Sequence, residues 1–211
     1  MKLSYITFMK HAEKITKKAS TGRPVLKGVF HSETGDLAVT DSHRLYTAKN
    51  IIRKSDEEIV DPITGDLIEG KYPDIKRLIP DESLSTAQLV LDTDVLLTGL
   101  NALLKCNQVS KDERPFITLS ADPEKKAPKI SSKNAFIEAQ FTVGQFREYR
   151  EINLSADTQY IIDAISLFKA AKVNRVVLRY FGNLHPFTIT PENSSDLLAL
   201  IMPIKRDEAN Q

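Results

Sequence analysis

The stretch Val39-Thr40-Asp41-Ser42-His43-Arg44-Leu45 is the densest polar cluster in the chain, and apolar strand-like residues lie on either side of it. Read as an enzyme site, it offers Asp41 and His43 as an oriented general base and Ser42 as a nucleophile. The geometry of an extended chain works against that reading. Neighbouring side chains point to opposite faces, so Ser42 and His43 do not meet easily. No glycine elbow surrounds the serine. The simpler reading is a turn between two strands, closed by side-chain-to-backbone hydrogen bonds. Upstream, Val25–Phe30 and Leu37–Val39 flank the turn Glu33-Thr34-Gly35-Asp36 and predict a hairpin.

Further out, three segments carry helical periodicity. Phe8–Ala19 places Phe8, Ala12, Ile15 and Ala19 on one face, with Thr7 as cap. Lys10, Lys14 and Lys17 fall opposite, with Glu13 able to pair with Lys17. Asp94–Lys105 has a wide leucine face and acidic residues at its start. Ala156–Lys172 buries Ile161, Ile165 and Phe168, with Ser155 as cap. Strands are expected at Phe116–Leu119, Ala135–Val143, Val176–Tyr180, Phe187–Thr190 and Leu197–Ile201. A second hairpin is expected at Ile63–Leu67. Ser120–Lys133, with two prolines, four lysines and Ile130 as its one large apolar residue, reads as a loop. The pattern is α+β: a helix followed by antiparallel strands, three times over. A boundary is expected in Pro80–Ser85, and Asp207–Gln211 reads as a polar tail.

Composition narrows the function classes. At 211 residues and 41% hydrophobic, the chain can bury a sizeable core without staples. The one cysteine, Cys106, excludes an internal disulfide framework and fits a reducing, cytoplasmic setting. Lys and Arg total 29 against 28 Asp and Glu, so any nucleic-acid contact must come from local clustering of charge. No secretory leader and no membrane span is expected. His11, His31, His43 and His185 lack ligand spacing, and no phosphate loop occurs, so neither a metal nor a cofactor is expected.

Two stretches stand out beside the polar turn. Lys71-Tyr72-Pro73-Asp74-Ile75-Lys76-Arg77-Leu78-Ile79-Pro80 is bracketed by prolines, and Ala199-Leu200-Ile201-Met202-Pro203-Ile204-Lys205 runs from a strand into a proline. Together with Arg23–Phe30 and Val39–Leu45, in that order, these stretches resemble the bacterial sliding clamp family, the DNA polymerase III beta subunit. The resemblance implies a DNA-clamp-like fold with sheets outside and helices on one face. Residues 1–80 match part of the family's second domain and 84–206 its third; the family's first domain has no counterpart. Lys205-Arg206 stand where the family usually ends in a basic residue and a leucine.

What the resemblance implies is a non-enzymatic processivity factor with two working surfaces. One is a groove for short peptides of the replicative polymerase and clamp loader. Carried over by position, its residues are Leu26, Thr40, Ser42, His43, Arg44 and Leu45; Pro73, Arg77 and Leu78; and Leu200, Met202, Pro203 and Ile204. The basic members His43, Arg44 and Arg77 would form its rim. The other surface faces duplex DNA, with Lys10, Lys14 and Lys17 on the first helix and Lys105, Lys169 and Lys172 on the others. Such contacts are sequence-independent and permit sliding. A homo-oligomeric ring would encircle DNA; the alternative is a decoy or adaptor that captures clamp-binding partners without encircling it.

Overall fold

The computed structural model describes residues 3–53, 56–109, 115–122, 124 and 126–205. The expected tail, 207–211, and Arg206 lie outside them. The first helix, α1, spans Tyr5–Thr16. It begins three residues before the expected start because Ser4, not Thr7, is its cap: Ser4 Oγ accepts from the Thr7 amide at 3.2 Å. Phe8, Met9, Ala12 and Ile15 are buried, and Ala19 falls beyond the helix end. The chain then makes a single 3-10 turn at Pro24–Lys27, where a strand was expected, because Pro24 presets the first turn position.

Strands β1 (Val29–His31), β2 (Leu37–Thr40) and β3 (Arg44–Ala48) follow as an antiparallel meander, with β4 (Glu58–Val60) on the far side of β1. The expected turn at 33–36 is present, with Gly35 at φ +86°. The second expected hairpin is reduced to a tight turn with a single bridge, Val60 to Leu67. Asp61 closes it by accepting from the amides of Ile63 and Thr64.

Beyond residue 84 come β5 (Ala87–Asp92), α2 (Thr93–Asn107), β6 (Phe116–Asp122), β7 (Ala127–Lys133), β8 (Glu138–Thr142), β9 (Gln145–Phe146), β10 (Asn153–Asp157), α3 (Thr158–Ala170), β11 (Arg175–Tyr180), β12 (Phe187–Pro191) and β13 (Leu197–Ile201). Asp92 and Asp157 each cap a helix by accepting two first-turn amides. Ser155 and Ala156, expected to cap and begin α3, therefore stay in β10. The expected loop at 120–133 is also corrected: β6 and β7 pair from Thr118–Ser131 to Asp122–Ala127. The inward positions of β7 are Pro128, Ile130 and Ser132, so only one of the three is a large apolar side chain and the alternation is faint in sequence. The buried Ser132 hydroxyl is satisfied by Asn107 and by the Phe116 carbonyl.

Nine strands form one sheet in the order β4-β1-β2-β3-β13-β12-β11-β5-β9, and β10-β6-β7-β8 form a second. The long sheet joins the two ends of the chain, since β3 pairs with β13 with Leu45 opposite Leu200. The main core holds side chains of all three helices against both sheets, including Phe8, Ile15, Tyr46, Leu100, Ile165, Phe168 and Ile201. The other face of the long sheet carries a smaller apolar cluster of Ala38, Leu45, Leu198 and Leu200. No helix among the described residues is long and apolar enough to cross a membrane.

One buried base ties α1 to this sheet. His31 Nδ1 lies 3.0 Å from the Val29 carbonyl and Nε2 lies 3.2 Å from the Tyr5 hydroxyl. Burial pushes its pKa down, against the opposing pull of the Val29 carbonyl and Glu58. A base with a depressed folded pKa contributes stability that is fully present above its unfolded value, about 6.5, and is lost as pH falls through the folded value. His11, lowered by burial and by Lys14 against the pull of Asp163, acts in the same direction. Urea midpoints are therefore expected to fall between pH 7.5 and pH 5, and His31→Phe should flatten that slope. An unchanged slope in the variant would remove His31 from the account.

Candidate peptide groove and helical face

The polar turn is built by its own side chains. Thr40 Oγ1 donates to the Arg44 carbonyl at 2.7 Å and accepts from the Ser42 amide at 3.1 Å. Asp41 Oδ1 accepts from the amides of His43 and Arg44, each at 3.0 Å. Ser42 sits at φ +76°, the left-handed conformation that closes the short connection. Asp41 is thus committed to the turn and to Arg44, and it makes no hydrogen bond to the His43 ring. This is the structural reading of the motif, not the catalytic one.

Alternation along β3 then separates two neighbours. Leu45 joins the outer cluster, while Arg44 points through the sheet toward the helices. The Arg44 guanidinium is fully buried. It donates from Nε to Asp41 Oδ2 at 3.0 Å, from Nη1 to Asp163 Oδ2 at 2.7 Å and from Nη2 to the Lys14 carbonyl at 3.0 Å. It also lies 4.3 Å from the centre of the Tyr160 ring. Arg44 therefore does not stand on the groove rim, contrary to expectation; it clamps α1, β3 and α3 together. Burial pulls Asp163 upward, but Arg44, Gln159 and Lys14 outweigh it and hold the carboxyl below the usual range. Asp163 and Tyr160 were not anticipated. The signal in the sequence was an aspartate inside the apolar run Ile161-Ile162-Asp163-Ala164-Ile165, where a charge needs a partner.

On the outer face, Phe30, Ile75 and Ile79 pack on the Leu45 cluster. Leu26, Ile59 and Tyr72 form an adjoining cluster that shares Phe30 and Ile75. The Tyr72 hydroxyl accepts from the Thr40 amide at 3.1 Å and donates to the Gly28 carbonyl at 3.4 Å, so residues 72–79 are stapled across the sheet. Leu26, Thr40, Leu45 and Leu200 are buried here. Ser42, His43, Pro73 and Arg77 are exposed, with Arg77 paired to Asp74. Leu78 is 45% exposed and Met202 38%. The Met202 amide donates to the His43 carbonyl at 2.8 Å, which sets the last strand beside the turn, and Pro203 and Ile204 are half-buried.

On the helical side, all six expected lysines are exposed. Three are engaged by carboxylates: Lys14 with Asp163 at 3.3 Å, Lys17 with Glu13 at 3.7 Å and Lys169 with Asp94 at 2.6 Å. Lys10, Lys105 and Lys172 make no ion pair among the described residues. No group of three or more His, Cys, Asp or Glu that could hold a metal occurs among the described residues.

The chain as a whole has similar counterparts among known proteins. The beta sliding clamp of Lactococcus lactis is 28% identical over 229 residues, covering 87% of this chain and 58% of the relative. That of Bacillus subtilis is 25% identical over 178 residues, covering 83% and 42%. The chain is similar in sequence to the bacterial beta sliding clamps. No family model matches the chain. The fold agrees: the crystal structure of the Bacillus subtilis DNA polymerase sliding clamp superposes with a TM-score of 0.77 at 23% identity, covering 96% of this chain and 63% of that one. A Streptococcus pneumoniae DNA polymerase III beta chain gives 0.75 at 19%, covering 95% and 63%. The chain spans little more than half the length of the Lactococcus protein it matches. Its helix-plus-antiparallel-sheet architecture is that of the sliding clamps.

Proposed function

We propose that the chain is a non-enzymatic clamp protein of cytoplasmic DNA replication that holds short peptide segments of the replicative polymerase and clamp loader. The observation that carries this reading is the convergence on one outer face. The polar turn, the stapled 72–79 segment and the last strand lie far apart in sequence yet share one apolar cluster, with Leu78 and Met202 exposed. An exposed aliphatic and a methionine beside a buried apolar floor suit an apolar peptide anchor. In this proposal Leu26, Thr40, Leu45 and Leu200 form the floor. Ser42, His43, Pro73, Arg77, Leu78, Met202, Pro203 and Ile204 form the walls, and Arg44 supports them from behind. The division into 1–80 and 84–206 belongs to the same proposal.

The test is fluorescence anisotropy with a labelled clamp-binding peptide from a replicative polymerase. Leu78→Ala with Met202→Ala is expected to weaken binding by about tenfold or more, since each truncated anchor site costs roughly 1–2 kcal/mol. Both positions are exposed, so the fold should persist. Unchanged affinity would overturn the groove.

Encirclement of duplex DNA by a homo-oligomer extends the reading. It predicts a fixed oligomer by light scattering and a DNA affinity that falls with salt. Lys10→Glu, Lys105→Glu and Lys172→Glu together should flatten that dependence, by about 0.9 in log-log slope for each phosphate that a lysine no longer neutralises. The engagement of Lys14, Lys17 and Lys169 by carboxylates favours the second reading, a decoy or adaptor that captures partners without encircling DNA. A persistent monomer with intact peptide binding would establish it over the ring.

A further inference from the structure

The chain between β3 and the Tyr72 staple supplies none of the proposed groove residues, yet its residues 57–59 and 67–71 wall a cavity of about 1140 Å³ on the same outer face. Phe30, Ala38 and Thr47 line it from the sheet, and Ile68 and Ile75 from the returning chain. Of the proposed groove residues, only Pro73 also lines it. The 72–79 segment therefore divides the outer face, with the groove at the Ser42–His43 end of the strands and this trough at the Glu33–Asp36 end.

Three features say what would fit. The sheet side of the trough is largely apolar, and Leu67 on its wall is 68% exposed, so an apolar side chain would gain by entering. Glu69, Gly70 and Lys71 run without regular structure along the wall, and their main-chain groups make no hydrogen bond among the described residues. Such a stretch can pair with a second extended chain. The third feature is charge. Six carboxylates line the trough against three lysine ammonium groups, on a chain whose overall charge is only +1. Asp74 is spent on Arg77, and Asp36 accepts from the Asn50 amide and the Thr34 hydroxyl. Glu33, Glu57 and Glu69 have no ion-pair partner among the described residues.

We propose that this trough is a second peptide site, taking an extended basic segment in which apolar side chains alternate with lysine or arginine. The apolar residues would meet the sheet and the cations would meet Glu33, Glu57 and Glu69. The same carboxylates would repel an acidic peptide and nucleic acid, which distinguishes the trough from the proposed DNA-facing surface.

The test uses the full chain and two fluorescein-labelled pentapeptides, Lys-Leu-Lys-Phe-Lys and its glutamate counterpart. Anisotropy gives affinity, and isoleucine-methyl NMR gives position. The basic probe is expected to bind more tightly than the acidic one and to shift the methyl signals of Ile59 and Ile68, which line the trough and are not packed on the Leu45 cluster. Glu57→Lys with Glu69→Lys, both on exposed residues and checked for an unchanged melting curve, should weaken it about fivefold or more. Leu78→Ala with Met202→Ala should leave it unchanged. Equal binding of the two probes, no loss on charge reversal, or loss in the Leu78/Met202 variant would each overturn the trough as a site. The last result would place the probe in the groove instead.

Discussion

Arg44→Met is expected to cost about 3–5 kcal/mol of folding stability at neutral pH, the range for removing one partner of a buried ion pair. The side chain it replaces is fully enclosed and links Asp41, Asp163 and the end of α1. Methionine roughly keeps the volume, so the loss would report the stranded carboxylates and not a cavity. Against a typical total of about 5–15 kcal/mol this is a large share. The pH dependence identifies the cause. In the wild type Asp163 is held low, so its contribution is full above the ordinary carboxylate range and is lost as pH falls through the lowered folded value. Without Arg44 the same carboxyl is buried without its main partner and its folded pKa rises. The variant is then relatively better off in acid, where that carboxyl is neutral. Urea denaturation should show a wide gap between wild type and variant at pH 7 that narrows toward pH 4. A gap that stays constant across this range would show that the ion cluster is not the origin.

Gly144→Ala is the second large effect, expected at about 2–4 kcal/mol. Between β8 and β9 the chain leaves the four-stranded sheet and enters the long one within two residues. Gly144 makes that step at φ +63°, and a Cβ there would lie 2.1 Å from the carbonyl oxygen of Val90 on the neighbouring strand. The left-handed conformation alone costs a non-glycine residue about 1 kcal/mol or more. Relieving the backbone clash adds about 1–3 kcal/mol, as for other overpacked sites. Gly65→Ala separates the two parts. Gly65 has a similar φ of +79° with nothing within 4 Å, so it should show the conformational cost alone. In thermal melts, where 1 kcal/mol corresponds to about 2–4 °C for a chain of this size, Gly144→Ala should lose clearly more than Gly65→Ala. Equal losses would show that the approach to Val90 carries no weight.

These two sites differ in how far sequence could reach them. The helices were legible because Phe8, Ala12 and Ile15, or Ile161, Ile165 and Phe168, recur at the helical period. Their starts were not, because Ser4, Asp92 and Asp157 compete with equally plausible neighbours, and only the amide each one meets decides. The hairpin β6–β7 was hidden because its inward positions are Pro128, Ile130 and Ser132. A serine can be an inward residue only when partners such as Asn107 arrive from another element. In the proposed groove, Thr40–Leu45 was legible as a turn from its own side chains.

By itself, the sequence determined the α+β class, the helical and strand periods, the polar turn and the resemblance to the sliding clamps, because all of these rest on neighbours along the chain. Only the tertiary structure decided that β3 pairs with β13 and that Tyr72 staples its segment over the sheet. It alone also turned Arg44 inward to Asp163 while Leu45 faces outward. Those outcomes depend on which strands meet and in what register. A side chain's surroundings are set by residues far away in the chain, 119 positions apart for Arg44 and Asp163, and no local pattern encodes them.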